Sequence, residues 1–389
     1  MHHFAVSMKS GNDKAETSMI LRTSHAILTL FVAVIFAANA FAAEFKHPGL
    51  INSGSRLNAL SRLEKESRAS DRKQSYYDLL DKDKRFSVDY QPAPMDYVIV
   101  TARGMNPMER RFRNDMIAAY FTALRWVKTG DNRYRAKSIE IMNAWSDKFV
   151  ALDREKGTWK GQIRLEAAWA VPIWANAAEI ILYYKHPYGN PGPEWRDRDV
   201  KKFRKFLGRL HREIGEARDR VDNQGVATAL ADMSIGVFND DRRLYEAGLA
   251  RARNLMPQII SDDGEVKELR KSDCIHPQYS LIGLTQAAQI EMNQSGKSTL
   301  LNARRPGNNE PMLASGIEYM ARALTDGTDA RDCRTGRLID GYAPIAKKIY
   351  ANDNKAPLKQ LDKAMSTVPQ RMSGLFPEAA DVTHGAGVQ

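Results

Sequence analysis

The sequence predicts an all-α fold, an (α/α) toroid built of antiparallel helical hairpins in a single domain of residues 43–365. Three observations carry this expectation. From Ser53 onwards, apolar residues recur at helical spacing far more often than they alternate. A glycine helix end is followed at once by an aspartate helix start, the punctuation of an antiparallel helical pair. Helices that are apolar nearly all round alternate with polar-faced ones, as an inner ring wrapped by an outer ring requires. The competing architecture, an α-solenoid, would show a fixed repeat period, and none occurs.

Residues 1–42 read as a signal peptide. Ala26–Ala38 is an apolar run of 13, preceded by Arg22 and followed by Ala40-Phe41-Ala42, the small-x-small pattern that signal peptidase cuts; Met19 is an alternative start. The run is shorter than the roughly 20 residues a membrane helix needs. Nothing after residue 43 is expected to cross a membrane, so the mature chain is expected in the periplasm or outside the cell. Asn106-Pro107 opens the first long helix, in which Ile117, Phe121 and Leu124 share a face, and Thr129-Gly130 ends it. Asp131 caps a second, striped with Ile139, Met142, Trp145 and Phe149. Gln162–Tyr184 is long and apolar-rich, Asp197–Ile214 basic and amphipathic, and Gly225–Phe238 rich in small apolar residues. Asn239-Asp240-Asp241 caps Arg242–Met256, Pro277 opens a helix running through Gln289, and Met312–Leu324 and Gly341–Tyr350 follow. Residues 366–389 read as an irregular tail.

The chain is basic, with 58 Lys and Arg against 47 Asp and Glu, and the leader carries only three of the former and two of the latter. Export and the absence of any RNP, helix-turn-helix or zinc-finger pattern argue against nucleic acid. No helix is both strongly basic and lopsidedly apolar enough to lie on a membrane. An acidic polysaccharide is the expected partner of this charge, and a monomer the expected state. Gly296-Lys297-Ser298-Thr299 resembles the end of a phosphate-binding loop, but Glu291 stands where its first glycine belongs. Of five histidines beyond the leader, His47 and His384 fall in expected tails, and His186, His211 and His276 are scattered; no metal and no cofactor are expected. Export predicts a disulfide between the only two cysteines, Cys274 and Cys333.

In a toroid the inner helices run parallel, so their N-termini gather at one rim. Two successive inner helices begin with polar groups, at Asp222-Asn223-Gln224-Gly225 and His276-Pro277-Gln278-Tyr279. This brings Asn223, Gln224, His276 and Tyr279 together where unpaired backbone N–H groups and helix dipoles favour an anion. Arg270 and Lys271 lead into the second helix and add positive charge, and Trp159-Lys160, in the polar loop Thr158–Gln162, can stack on and pair with an acidic sugar. Each has a structural alternative: Asn223 and His276 as helix caps, Tyr279 as a core residue, Arg270 and Lys271 as solvated surface.

These residues carry a family resemblance. Asn223-Gln224-Gly225, Gly236–Leu244 (GVFNDDRRL), Glu268-Leu269-Arg270 and Tyr279-Ser280-Leu281 are similar in order and spacing to the helical alginate lyase family. His47-Pro48-Gly49-Leu50, Thr129-Gly130-Asp131 with Tyr134, Ala144-Trp145, and Trp169 with Ala177-Ala178-Glu179 agree, over roughly residues 47–350. The resemblance implies an (α/α) barrel that cleaves uronic-acid polymers by β-elimination without a required metal. Two departures stand out: Gln224 occupies the place of a histidine, and Arg270 lies one residue closer to Glu268-Leu269 than the pattern has it.

The chemistry explains the residue types. A uronate C5 proton is barely acidic while its neighbouring carboxylate is charged, so the site must neutralise the carboxylate and stabilise an enediolate-like transition state with fixed donors. Asn223 and Gln224 supply amides, Arg270 or Lys271 charge. A phenol lowered by cations and a helix N-terminus can remove the C5 proton and return it to O4, which makes Tyr279 the expected acid and base and His276 the alternative base. Two rivals remain: a glycoside hydrolase, drawing on carboxylates such as Asp222, Glu268 and Asp273, and a non-catalytic polyuronate-binding protein.

Overall fold

The computed structural model describes Met1, residues 44–62, 83–102, 105–187, 192–351, Ala356 and residues 358–385. The chain divides into two units, Met1–Glu44 and Phe45–Gln389. The expected leader, Met1 apart, lies outside the described residues. Eight long helices organise the second unit: α1 (Pro107–Thr129), α2 (Asn132–Lys148), α3 (Gly161–Tyr183), α4 (Asp197–Ile214), α5 (Asn223–Phe238), α6 (Arg242–Ile259), α7 (His276–Ser295) and α8 (Met312–Thr325).

Local chemistry sets their ends. Asn106 caps α1 by accepting from the N–H groups of Met108 and Glu109, with Pro107 at the first helical position. Gly130 ends it in the left-handed conformation, φ 69°, which glycine adopts without a Cβ penalty, and Asp131 accepts from Arg133 N–H to start α2. Asp241 caps α6 through Leu244 N–H.

The inner helices α1, α3, α5 and α7 pack in succession, and each is backed by the helix that follows it, α2, α4, α6 and α8. Burial matches this arrangement. Leu165–Ile181 of α3, Gly225–Phe238 of α5 and Ser280–Glu291 of α7 are buried without a break. In α4, by contrast, only the stripe of Val200, Phe203, Phe206, Leu207, Leu210 and Ile214 is joined in burial by a single polar residue, Asp199. Contrary to expectation, α3 is long and apolar enough to cross a membrane by length and composition; its burial inside the ring accounts for that composition.

Two corrections concern the chain ends. Residues 366–385 are no irregular tail. Lys359–Thr367 and Ala380–His384 are helical, and β4 (Gln370–Arg371) pairs in parallel with β3 (Leu338–Ile339), much as β2 (Ala151–Arg154) does with β1 (Tyr97–Val100). The helix Ala343–Ile349 rests on α7 and on Ala380–His384, which in turn meets Gly54–Arg62 and through it α1. These short pieces link the last inner helix back to the first, and Phe376, Ala379 and His384 are buried there. His47 is equally built in: its ring nitrogens contact Glu179 Oε1 at 2.9 Å and Asp240 Oδ1 at 3.1 Å, while Gly49 N–H donates to Glu179.

Candidate active site

The starts of α5 and α7 do converge, and a carboxylate joins them. Asp222 caps α5 by accepting from Gln224 N–H at 3.0 Å, which frees Asn223 from that duty. Asn223 donates from its backbone N–H at 3.1 Å and from Nδ2 at 2.7 Å to Glu268, on the short helix Glu268–Lys271. Ser280 Oγ, on α7, donates to the same carboxylate. Burial pushes Glu268 above the usual carboxylate range, and the hydrogen bonds from Ser280 and Asn223 recover only part of that cost. Two of the three carboxylates the hydrolase reading draws on are thus committed: Asp222 to the cap and Arg220, Glu268 to Asn223 and Ser280.

The first turn of α7 holds the two groups expected to transfer protons, His276 and Tyr279. Asp273 accepts from Ile275 N–H at 2.7 Å and His276 N–H at 2.9 Å, and its Oδ2 lies 2.8 Å from His276 Nδ1. Burial alone would raise Asp273, but these backbone donors and His276 hold it below the usual range. An ionised carboxylate can only accept, so in the neutral ring Nδ1 carries the proton and Nε2 of His276 presents a lone pair. Tyr279 stands one turn on, its ring centroid 5.7 Å from that of His276. Trp169 of α3 meets it edge-on at 6.0 Å, and Phe376, from the C-terminal segment, lies at 5.7 Å.

The phenol departs from expectation. Burial, then Glu378, push Tyr279 up to about 12, and Arg371 and Arg113 pull it down without prevailing. At neutral pH it holds its proton. A helix N-terminus and nearby cations are insufficient against the desolvation of a side chain packed between Trp169 and Phe376.

The cations are also not the expected ones. Arg270 makes a two-pronged pair with Glu265, at 3.0 and 2.6 Å. Lys271 lines a cavity of about 680 Å³ beside the rim. In their place stand two arginines. Arg113 of α1 is fixed by Glu166 at 2.7 Å and Glu109 at 2.6 Å, 5.8 Å from the Trp169 ring. Arg371 of β4 has no side-chain partner among the described residues. Gln278 holds this edge: it accepts from Ile339 N–H of β3 and donates to Cys274 O and Arg337 O. A disulfide joins Cys274 and Cys333, with 5.7 Å between their Cα atoms.

Trp169 Nε1, Asn223 Oδ1 and Gln224 Oε1 are buried with no hydrogen-bond partner among the described residues. Unsatisfied polar atoms are costly in an interior and are tolerated where a ligand completes them. Trp159 and Lys160 lie outside this cluster, both exposed. Among the described residues, no three His, Cys, Asp or Glu side chains converge as metal ligands would. Sequence reasoning missed Arg113, Arg371 and Glu378, and met Trp169 only as part of the family resemblance; the Glu109/Arg113 pair four residues apart was the one local signal for the first three.

Solved structures share the fold. Alginate lyase A1-III from Sphingomonas species A1 superposes with a TM-score of 0.62 at 16% identity, over 88% of this chain and 97% of that one. A tyrosine-to-phenylalanine variant of A1-III complexed with tetrasaccharide gives 0.63 at 18% identity, over 88% and 97%. An alginate lyase from Bacteroides ovatus gives 0.59 at 10% identity, over 87% and 99%. No curated protein sequence matches the chain. The family profile described as alginate lyase matches residues 53–330, the span that contains every inner helix and both His276 and Tyr279, and the chain belongs to the alginate lyase family.

Proposed function

We propose that this polysaccharide lyase cleaves alginate or a closely related polyuronate by β-elimination. The observation that carries the reading is the first turn of α7, where Asp273 orients His276 and a proton-bearing Tyr279 stands one turn away. His276 Nε2 takes the C5 proton, and the C5–H pair becomes the C4=C5 double bond. The C4–O4 bond breaks, and O4 receives the proton of Tyr279. This divides between two residues the roles first assigned to Tyr279 alone, because a phenol held near 12 donates well and is a poor resting base. Proton return from His276 to the phenolate resets the site.

Arg371, unpaired at the rim, neutralises the uronate carboxylate, with the second N–H of Asn223 Nδ2 and the Gln224 amide as further donors. Export follows from the leader, and the Cys274–Cys333 disulfide supports an oxidising compartment. Incubation with alginate, polymannuronate, polyguluronate and polyglucuronate tests the reading. An unsaturated product absorbing in the ultraviolet is expected from at least one of them; saturated ends would show hydrolysis, and unchanged polymer a binding protein.

A further inference from the structure

Outside the Tyr279 cluster, Trp159 is 51% exposed, one of few large apolar side chains left in water. It is not a loose surface residue. Its indole lies over Gly161, the first residue of α3: a Cβ at Gly161 would stand 1.8 Å from Trp159 Cη2. The Arg220 guanidinium is 5.7 Å from the ring centroid. Only a glycine at position 161 leaves the indole its place, with an arginine close by.

Arg220 continues into the 680 Å³ cavity, which Lys267, Lys271, Asp222 and Glu268 also line. Arg220 is paired with Asp222, but Lys267 and Lys271 have no side-chain partner among the described residues. Glu268 forms one wall of this cavity while holding Asn223 at the rim, so the cavity adjoins the reacting centre without containing Tyr279 or His276.

We propose that Trp159 and the Arg220–Lys267–Lys271 cavity form a separate subsite for an acidic oligosaccharide, with one sugar ring on the indole and the next uronate carboxylate on the lysines. A pyranose offers an apolar C–H face to an aromatic plane and leaves its carboxylate at the edge, which matches a flat indole followed by two unpaired ammonium groups. The identity of the ligand rests on the polyuronate reading; the existence of the subsite does not.

The test is binding, measured by calorimetry on the Tyr279→Phe chain with alginate di-, tetra- and hexasaccharides. Affinity should rise with length, and adding Trp159→Ala or Lys267→Ala should weaken hexasaccharide binding about tenfold, as removal of an aromatic or cationic anchor does, while leaving the disaccharide as before. Gly161→Ala, which keeps the helix but displaces the indole, should reproduce Trp159→Ala. Equal losses at every length, or none, would overturn the subsite. If the wild type leaves alginate uncleaved but Trp159→Ala still weakens the hexasaccharide tenfold, the lyase reading fails and the subsite stands.

Discussion

Asp232 and Glu378 are both buried, at 1% and 2% exposure, and their surroundings are opposite. Asp232 lies midway along α5, where His211 Nε2 at 2.7 Å, Arg218 Nη2 at 2.9 Å and Arg251 Nη1 at 2.5 Å converge on it. Burial opposes its charge, but these partners outweigh burial and hold it at about 2. Glu378 receives no cation among the described residues. Its Oε1 accepts from Ser373 N–H and Oγ and from Gly374 N–H, and Oε2 has no partner. Burial and then Asp340 push it up to about 8. In the ring wall a carboxylate is kept ionised as a structural pin linking α4, α5 and α6. Near Tyr279 it is kept protonated, so it adds no negative charge where a polyanion must bind.

The sharpest break of this contrast is Tyr279→Phe. If the rim serves chemistry and the wall serves stability, removing one hydroxyl should lower kcat by about 10²–10⁴-fold and leave the thermal midpoint unchanged. Among the described residues, the Tyr279 hydroxyl has no hydrogen-bond partner whose loss would destabilise the fold. A fall in the midpoint with activity retained would place Tyr279 with the structural residues.

Asp232→Asn addresses the opposite end. It leaves two arginines and a histidine gathered on a neutral amide, and breaking such a buried network costs about 3–5 kcal/mol. Urea denaturation should show this loss, with kcat of the still-folded enzyme little altered. The pH dependence has a definite sign. A carboxylate lowered from 3.8 to about 2 contributes stability that is present above pH 4 and lost as pH falls towards 2.

The disulfide tests whether the rim is rigid by covalent means. Cys274 and Cys333 are 59 residues apart, and in the chain-entropy model a loop of that length is worth about 4 kcal/mol. Cys274→Ser with Cys333→Ser should therefore lower the urea midpoint. It should also raise KM, because Gln278 ties the Cys274 carbonyl to the β3 edge beside Arg371.

Much of this was legible in the sequence, for physical reasons. Helices buried on all sides must be apolar on all sides, so α3, α5 and α7 declared themselves, and Gly130, Asp131 and Asp241 marked ends because cap chemistry is local. The gathering of Asn223, His276 and Tyr279 followed from placing polar residues at parallel helix starts. The closure through residues 370–385 did not show, because a two-residue strand and a five-residue helix are too short to carry a period. Arg371 was invisible for the same reason, and Arg113 because Glu166, its partner, belongs to another helix. The direction of the Tyr279 shift was misread because desolvation depends on Trp169 and Phe376, which are distant in sequence.

The last expected effect is the most specific to the comparison. Glu378→Gln preserves an oxygen acceptor for Ser373 and Gly374 and removes only the ability to ionise. In the wild type the native state keeps this proton to about 8, whereas the unfolded chain releases it near 4.5. Between those values the unfolded state binds fewer protons, so wild-type stability must fall as pH rises, by up to about 1.4 kcal/mol per pH unit. The variant lacks this slope. Urea midpoints at pH 5 and pH 8 should place the two proteins closest at the lower pH and the variant ahead at the higher, the reverse of the acid-side loss that Asp232 produces. Parallel behaviour at both values would mean that Glu378 is already ionised in the native state, and the contrast between a charged wall and a protonated rim would then fail at the residue that defines it.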